Sequence, residues 1–445
     1  MQCITRNSDI SSFLSPQEFS EEIIYIFSQF LVFEKSGEYT LLYNTLTSEL
    51  ISLSDPEFQL IDSKRPSKYK DSNLIRSLVA HHYLVPVDLD EMQLYKELYD
   101  FSKILKNNGG ITRYNILTTT GCNLRCYYCF EQGVNASNMS ADVAEEIISY
   151  ITKTHAPHKK IHLRWFGGEP LVNSKVIDII CSGLTKNGID FFSTMSSNGV
   201  LFSSEILEKV QDWKLKHVRI SLDGFGKEHD IRKGFATDGN IFESVIKNID
   251  MIADRNIEVN VRLTIDSKSI DNMEKLATWL IDRYRSYKNV TIYNRCVFEE
   301  FSSKSYHASP ISVSKIFKKI QQLDNLLLKN GMYDMSRIAP VGFQTYYCAA
   351  SDPHAIVIDP KGRLCGCESI NNETRYWGNI WDGVTDEEYR RTWHDCEIRL
   401  KCKECAFLPV CTPFDKCSID FFDCRLKLEY IHKLYINNMF CLGNK

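Results

Sequence analysis

Between residues 112 and 298 the chain alternates between two hydrophobic rhythms. Short apolar-rich runs fall at residues 113–119, 161–166, 190–195, 217–222, 258–265 and 290–294. Each reads as a strand, being short and rich in branched or aromatic residues. Longer stretches with apolar residues at helical spacing separate them, at 141–152, 241–253 and 269–284. Ser140 stands where an N-cap is expected. Six β–α units predict an α/β fold with a parallel sheet and helices outside it. Six are too few for a closed eight-unit barrel.

The flanks have a different rhythm. Residues 33–44 and 49–53 predict a β-hairpin region, 74–81 a helix, and 83–87 a strand after it. Residues 88–105 are charged and helical in pattern, and predict a linker. Residues 355–364 predict a second hairpin, with Pro360-Lys-Gly at its turn, and 425–439 a closing helix. Three domains are therefore expected over the 445 residues: 1–107, 108–310 and 311–445.

Composition narrows the class. Apolar residues make up 43% of the chain, enough for a full core, and the net charge of −4 gives no basis for nucleic-acid binding. The first residues lack a signal-peptide core, and no apolar run is long enough to span a bilayer. These features predict a cytoplasmic protein with no membrane partner. Sixteen cysteines in a reducing compartment point to metal or cluster ligation rather than disulfides. Three lie at 122–129 and ten between 348 and 445. Cys3, Cys181 and Cys296 read as ordinary buried thiols.

The densest chemistry is Cys122-x3-Cys126-x2-Cys129. Three thiolates on one loop can hold three corners of a [4Fe–4S] cube and leave one iron open to a small molecule. The competing reading, a zinc knuckle, needs a fourth ligand. The other motifs follow predicted strands: Gly167-Gly168-Glu169-Pro170 the second, Ser197-Asn198-Gly199 the third, and Ser221-Leu-Asp-Gly224 ends the fourth. In such sheets the chemistry lies at the C-terminal strand edge. In the tail, Cys348 and Cys367 precede Cys402-x2-Cys405-x5-Cys411, Cys417 and Cys424. The tail has no matching second pair and no His-x3–5-His, which favours clusters over a zinc ribbon.

In this order the motifs resemble the radical S-adenosylmethionine (radical SAM) superfamily, and the tail resembles its SPASM extension in peptide-modifying enzymes. The resemblance implies a partial (β/α)6 TIM-like barrel with a C-terminal cysteine-rich SPASM domain. It implies a SAM-binding cluster on Cys122, Cys126 and Cys129, with the aromatic Tyr128 in the family's place. Gly167, Gly168 and Glu169 would hold the SAM amino group, and Asn198 and Ser221 would lie near its ribose and methionine. Arg232 would pair with its carboxylate. No glycine-rich motif follows the fifth strand, so that SAM contact stays unassigned.

The same resemblance implies two auxiliary [4Fe–4S] clusters: an outer one on Cys402, Cys405, Cys411 and Cys424, an inner one on Cys348, Cys367 and Cys417. His354 stands where the family often has a further cysteine. The inner cluster's fourth ligand is thus His354, Cys365 or an open position, and Cys441 rivals Cys424. Glu368 stands where anaerobic sulfatase maturases carry a catalytic base, with a solvated glutamate as the alternative. The N-terminal strands and helices resemble the winged-helix module that recognises leader peptides, which would add to it as a strand. The expected function is hydrogen abstraction from a ribosomally made precursor peptide to install an intrapeptide crosslink, thioether or other. The expected partners are that peptide and an electron donor such as flavodoxin or ferredoxin. Formylglycine formation and a non-catalytic electron-transfer role are the rival readings.

Overall fold

The N-terminal unit is built mainly of strands. They are β1 (Gln2–Thr5), β2 (Tyr25–Phe27), β3 (Leu31–Ser36), β4 (Tyr39–Asn44), β5 (Glu49–Ser54) and β6 (Leu84–Pro86). Four form an antiparallel sheet in the order β1-β5-β4-β3, and β2 pairs with β6. The β3–β4 hairpin turns on Gly37, whose φ of +59° suits a residue without a side chain. The predicted helix is present as Asn73–Ala80, capped by Ser72. Its buried Ile75, Leu78 and Val79 pack with Leu42, Ile51 and Leu53 of the sheet. The structure, a computed structural model, describes residues 2–5, 14–61, 65–107, 109–234, 240–266, 268–297, 310–334, 343–346, 348–395, 398 and 400–411.

All six predicted core strands are present: β7 (Arg113–Thr119), β8 (Ile161–Gly167), β9 (Phe191–Ser197), β10 (Leu215–Leu222), β11 (Glu258–Ile265) and β12 (Val290–Cys296). They pair in sequence order, every pair parallel. Helices Ala141–Thr154, Ser174–Lys186, Ile241–Ala253 and Met273–Tyr284 are among those between the strands. Ser140 caps the first, accepting from Val143 N.

Side chains alternate across each strand. Trp165, Met195, Ile220 and Leu263 belong to one buried apolar cluster with helix residues such as Ile147, Ile177 and Ile249. The neighbouring positions Arg164, Ser196, Arg219 and Arg262 line a cavity on the opposite face. This face is unlike the apolar layers that fill a closed eight-stranded barrel. Cys181 sits in the apolar cluster as an ordinary buried thiol.

The predicted C-terminal hairpin forms as β13 (Ala355–Ile358) and β14 (Arg363–Cys365), followed by β15 (Gly378–Asn379) and β16 (Gly383–Val384). β13 lies parallel to β7, so the core sheet continues into the C-terminal module as ten strands. The helix Glu91–Leu105 links the N-terminal unit to the core. Its Tyr95 and Leu98 pack with Phe30 and Leu46 from the N-terminal sheet side and with Phe343 and Leu408 from the tail. Thr45 Oγ1 also donates to the Ala406 carbonyl. The N-terminal unit therefore rests on the segment that carries Cys402, Cys405 and Cys411. Cys417, Cys424, Cys441 and the helix expected at 425–439 lie outside the described residues.

Candidate active site at the C-terminal edge of the parallel strands

The loop after β7 carries Cys122, Cys126 and Cys129, and all three face one cavity of about 330 Å3. Two glycine contacts fix this loop against its neighbours. Gly168 N donates to the Thr119 carbonyl at 3.0 Å, and Glu169 N to the Gly121 carbonyl at 3.0 Å. A Cβ on Gly168 would lie 2.3 Å from Gly121 O, and one on Gly167 2.1 Å from Thr119 O. The glycine pair thus serves a close backbone approach, with Gly167 also at φ +125°. The cluster loop is held from its other side by Lys233-Gly234, since Arg125 N donates to the Lys233 carbonyl at 3.0 Å.

Glu169 is fully buried and does not line the cavity. Its carboxylate accepts from Ser197 Oγ, from Asn198 N at 2.7 Å and from Leu171 N at 3.2 Å. Burial raises its carboxyl to about 7 against the pull of these donors. It joins the ends of β8 and β9 and so orients Asn198. The Asn198 side chain donates to Asn123 Oδ1 at 2.8 Å, beside Cys122.

Tyr128 belongs to a buried polar network. Its hydroxyl donates to Asp223, and Lys233 Nζ donates to Tyr128 Oη at 3.1 Å and to Ser221 Oγ at 2.9 Å. Lys233 and Asp223 also form an ion pair at 3.0 Å. Burial alone would neutralise both, but their mutual attraction outweighs it: Asp223 is held below the ordinary carboxylate range and Lys233 above the ordinary amine range. Arg232 takes a different place. It pairs with Asp266 Oδ2 at 2.8 Å, lies over the Tyr127 ring and does not line the cavity. Asp266 ends β11, where no glycine motif was found. It also accepts from Tyr127 and from the backbone of Lys268 and Ser269.

Several lining residues were not singled out in the sequence. Glu131 is buried, its Oε1 has no hydrogen-bond partner among the described residues, and burial pushes its carboxyl up to about 8. Arg164, Arg219, Arg262 and Arg295 enter from β8, β10, β11 and β12. Glu368 and Ser369 of the C-terminal module complete the cavity, and Glu368 pairs with Arg164 at 2.9 Å. Glu368 therefore stands inside the cavity rather than in open solvent. Polar residues at alternate strand positions were the available signal for the arginines.

The chemistry of the cysteine set fits an iron–sulfur group. Burial raises all three thiols, Cys129 to about 11, so thiolates here need a cationic partner. Leu124 N and Asn198 Nδ2 point at Cys122 Sγ. Among the described residues no three Cys, His, Asp or Glu groups converge as ligands of one ion. Cys122, Cys126 and Cys129 would hold a [4Fe–4S] group.

In the C-terminal module, burial raises Cys367 to about 11, and Cys348 adds to that shift. Cys365 instead packs with Leu117, Val357 and Ile370. His354 Nδ1 lies 3.0 Å from the Gly110 carbonyl. Cys402, Cys405 and Cys411 are half-buried, with Cys405 N donating to the Cys402 carbonyl at 3.1 Å.

Residues 116–280 match the radical SAM superfamily. Over 375 residues the chain is 22% identical to the radical SAM cyclopropyl synthase TigE of Paramaledivibacter caminithermalis, covering 77% of this chain and 74% of that protein. Other curated relatives are matched over a smaller part of their length. The match to the AdoMet-dependent heme synthase of Methanosarcina barkeri, 27% identical, covers 35% of this chain and 43% of that protein. The solved structure of native anSMEcpe with bound AdoMet aligns with a TM-score of 0.60 at 15% identity, over 75% of this chain and 100% of that one. Streptococcus suis SuiB bound to precursor peptide SuiA gives 0.50 at 13%, over 90% and 99%. No helix among the described residues is long and apolar enough to cross a membrane. The family match covers the strands that surround the cysteine loop, so residues 116–280 form a radical SAM domain, and beyond them the chain shares the fold of native anSMEcpe.

Proposed function

We propose that this protein is a radical SAM enzyme that removes a hydrogen atom from a peptide and thereby installs an intrapeptide crosslink. One observation carries the reading: Glu368 and Ser369 of the cysteine-rich module line the same cavity as Cys122, Cys126 and Cys129. The module thus closes over the site where SAM would lie, as a substrate-handling element must. A bound cluster would supply the electron that cleaves SAM to methionine and a 5′-deoxyadenosyl radical. The chain's own part is to bind, orient and shield. Asn198, Ser221, Tyr128 and Lys233 form a polar wall for SAM, and the Gly167–Gly168 turn fixes the cysteine loop beside it.

Cys348 and Cys367, with Cys417, would hold an inner auxiliary cluster, and Cys402, Cys405 and Cys411, with Cys424, an outer one. Cys365, packed among apolar groups, is a poor fourth ligand, which leaves His354 or an open position. β3 ends the N-terminal sheet with a free edge among the described residues. A leader peptide would add there as a further strand.

The cavity position of Glu368 also supports a second reading, formylglycine formation on a Cys or Ser, with Glu368 as the base. Anaerobic incubation with SAM, dithionite and the short peptides encoded beside the gene tests the choice. A crosslink appears as the loss of two hydrogen atoms, one to the 5′-deoxyadenosyl radical and one as a proton whose electron an auxiliary cluster would accept, with an internal fragmentation gap. Formylglycine appears as an aldehyde that reacts with hydrazide. Abundant 5′-deoxyadenosine with every peptide unchanged would contradict both.

A further inference from the structure

Glu131 ends the cysteine loop on the flank that meets the C-terminal module. The segment is turned tightly: Gln132 N donates to the Cys129 carbonyl at 3.1 Å, and Val134 N to the Glu131 carbonyl at 3.0 Å. Phe130 stacks with Phe166 of β8, their ring planes 7° apart. The Gly133 carbonyl accepts from Asn372 Nδ2 of the module at 3.4 Å. Asn198 and Ser221, which serve SAM in the reading above, instead stand at the ends of β9 and β10. Glu131 thus borders the part of the cavity that Glu368 and Ser369 close.

Only 8% of Glu131 is exposed, and the residue lines the cavity. Its Oε1 is buried with no hydrogen-bond partner among the described residues. The other carboxyls around the site are committed. Glu368 pairs with Arg164 and Asp223 with Lys233, while Glu169 accepts from Ser197 and Asn198. A buried carboxyl without a donor is costly unless a ligand supplies one. The last torsion of a glutamate is soft, so either oxygen can turn to the cavity. In either protonation state one oxygen accepts a hydrogen bond.

A peptide drawn toward SAM takes its backbone N–H groups out of water, and each then needs an acceptor. The arginines that line the cavity can only donate. SAM has donors of its own in its ammonium, ribose and adenine groups, and these are the rival partners for Glu131.

We propose that the Glu131 carboxyl accepts a hydrogen bond from a backbone N–H of the substrate peptide and so positions the residue presented to SAM. The inference rests on the peptide reading and adds a residue that holds the peptide beside the cysteine loop.

The test uses cluster-reconstituted full-length protein saturated with SAM, without reductant. The probes are pentaglycine and pentasarcosine, both acetylated and closed as dimethylamides, so that the second has no N–H. In saturation-transfer NMR titrations the wild-type protein should bind pentaglycine at least about tenfold more tightly, as a hydrogen bond to a charged group warrants. Glu131→Leu removes the acceptor and should abolish that preference. Glu131→Gln keeps a carbonyl acceptor and should retain most of it. A preference that survives in Glu131→Leu, or is lost equally in both variants, would overturn the proposal. SAM titrated alone should bind wild type and Glu131→Leu equally, and a tenfold loss would give the carboxyl to SAM instead. The thermal midpoint without peptide should be no lower in Glu131→Leu, because an unpartnered buried carboxyl is removed. A clear fall with loss of iron would make the carboxyl structural and overturn its role toward the peptide. Equal binding of both probes by the wild-type protein would overturn the N–H site and leave the peptide reading standing. Binding of neither probe would contradict the peptide reading and the site with it.

Discussion

Lys233 Nζ lies 3.0 Å from the Asp223 carboxylate, with both side chains buried beneath Tyr128. The pair joins the end of β10 to the turn that clamps the cysteine loop. Removing one member leaves a buried charge unmatched, which costs about 3–5 kcal/mol. Lys233→Met should therefore lower the thermal midpoint sharply and reduce iron retained per chain. Lys233→Met with Asp223→Asn should recover most of the stability. Denaturation of the single and double variants gives the coupling directly, and additive losses would show that the two groups do not act as a pair.

Gly168 abuts the cysteine loop, where a Cβ would meet Gly121 O at 2.3 Å. Gly168→Ala should push the two loops apart and cost about 2 kcal/mol or more. SAM cleavage should fall with it, because Asn198 and the cysteines are placed through this contact. Gly37→Ala is the control: it also strains a positive φ, but nothing lies within 4 Å. It should lose only about 1 kcal/mol and keep cleavage.

His229 is buried, and its Nδ1 accepts from Asp223 N at 3.1 Å, which requires the neutral ring. Burial, reinforced by Lys233, lowers its pKa to about 3. The stability this gives is present above the ordinary histidine value of about 6.5 and is lost as pH falls toward about 3. The full shift corresponds to roughly 5 kcal/mol. Asp223, held low by Lys233 against burial, titrates in the same direction at the acid end. Thermal midpoints from pH 7 to 4 should therefore fall less steeply in His229→Asn, which keeps an acceptor but cannot take the proton. An unchanged slope would remove His229 from the account.

The core strands were legible because their apolar runs are short, bounded and buried against helices, as Trp165 and Ile220 are. The cysteine loop and the Gly-Gly-Glu-Pro turn were legible as spacing. The roles within them were less so. Glu169 reads as a free acceptor in sequence, yet it is saturated by Ser197, Asn198 and Leu171. Arg232 and Lys233 are neighbours in sequence, but the turn of the helix Lys227–Arg232 sends one to Asp266 and the other to the cavity. The arginines of β8, β10, β11 and β12 resemble a solvated strand face until the sheet's curvature puts them around one cavity. The parallel pairing of β13 with β7 could not be read from either segment, because long-range pairing leaves no local pattern.

Glu368 and Arg164 keep roughly a quarter or a fifth of their side chains exposed, at 24% and 21%. Glu368→Gln keeps the shape and a hydrogen-bond acceptor for Arg164, so it should cost at most about 1–3 kcal/mol. It should leave the protein folded, with iron content unchanged, while altering the ratio of modified peptide to 5′-deoxyadenosine. A variant with an unchanged ratio would place Glu368 outside substrate handling.

The central claim is that Cys122, Cys126 and Cys129 make the SAM-cleaving site and that the cysteines of the tail do not. The most direct measurement is 5′-deoxyadenosine formed from SAM and dithionite by anaerobically reconstituted protein, with iron counted per chain. Cys126→Ala should abolish the product and lose only the iron of one cluster, while Cys405→Ala should still form it. Undiminished 5′-deoxyadenosine from Cys126→Ala would contradict the account.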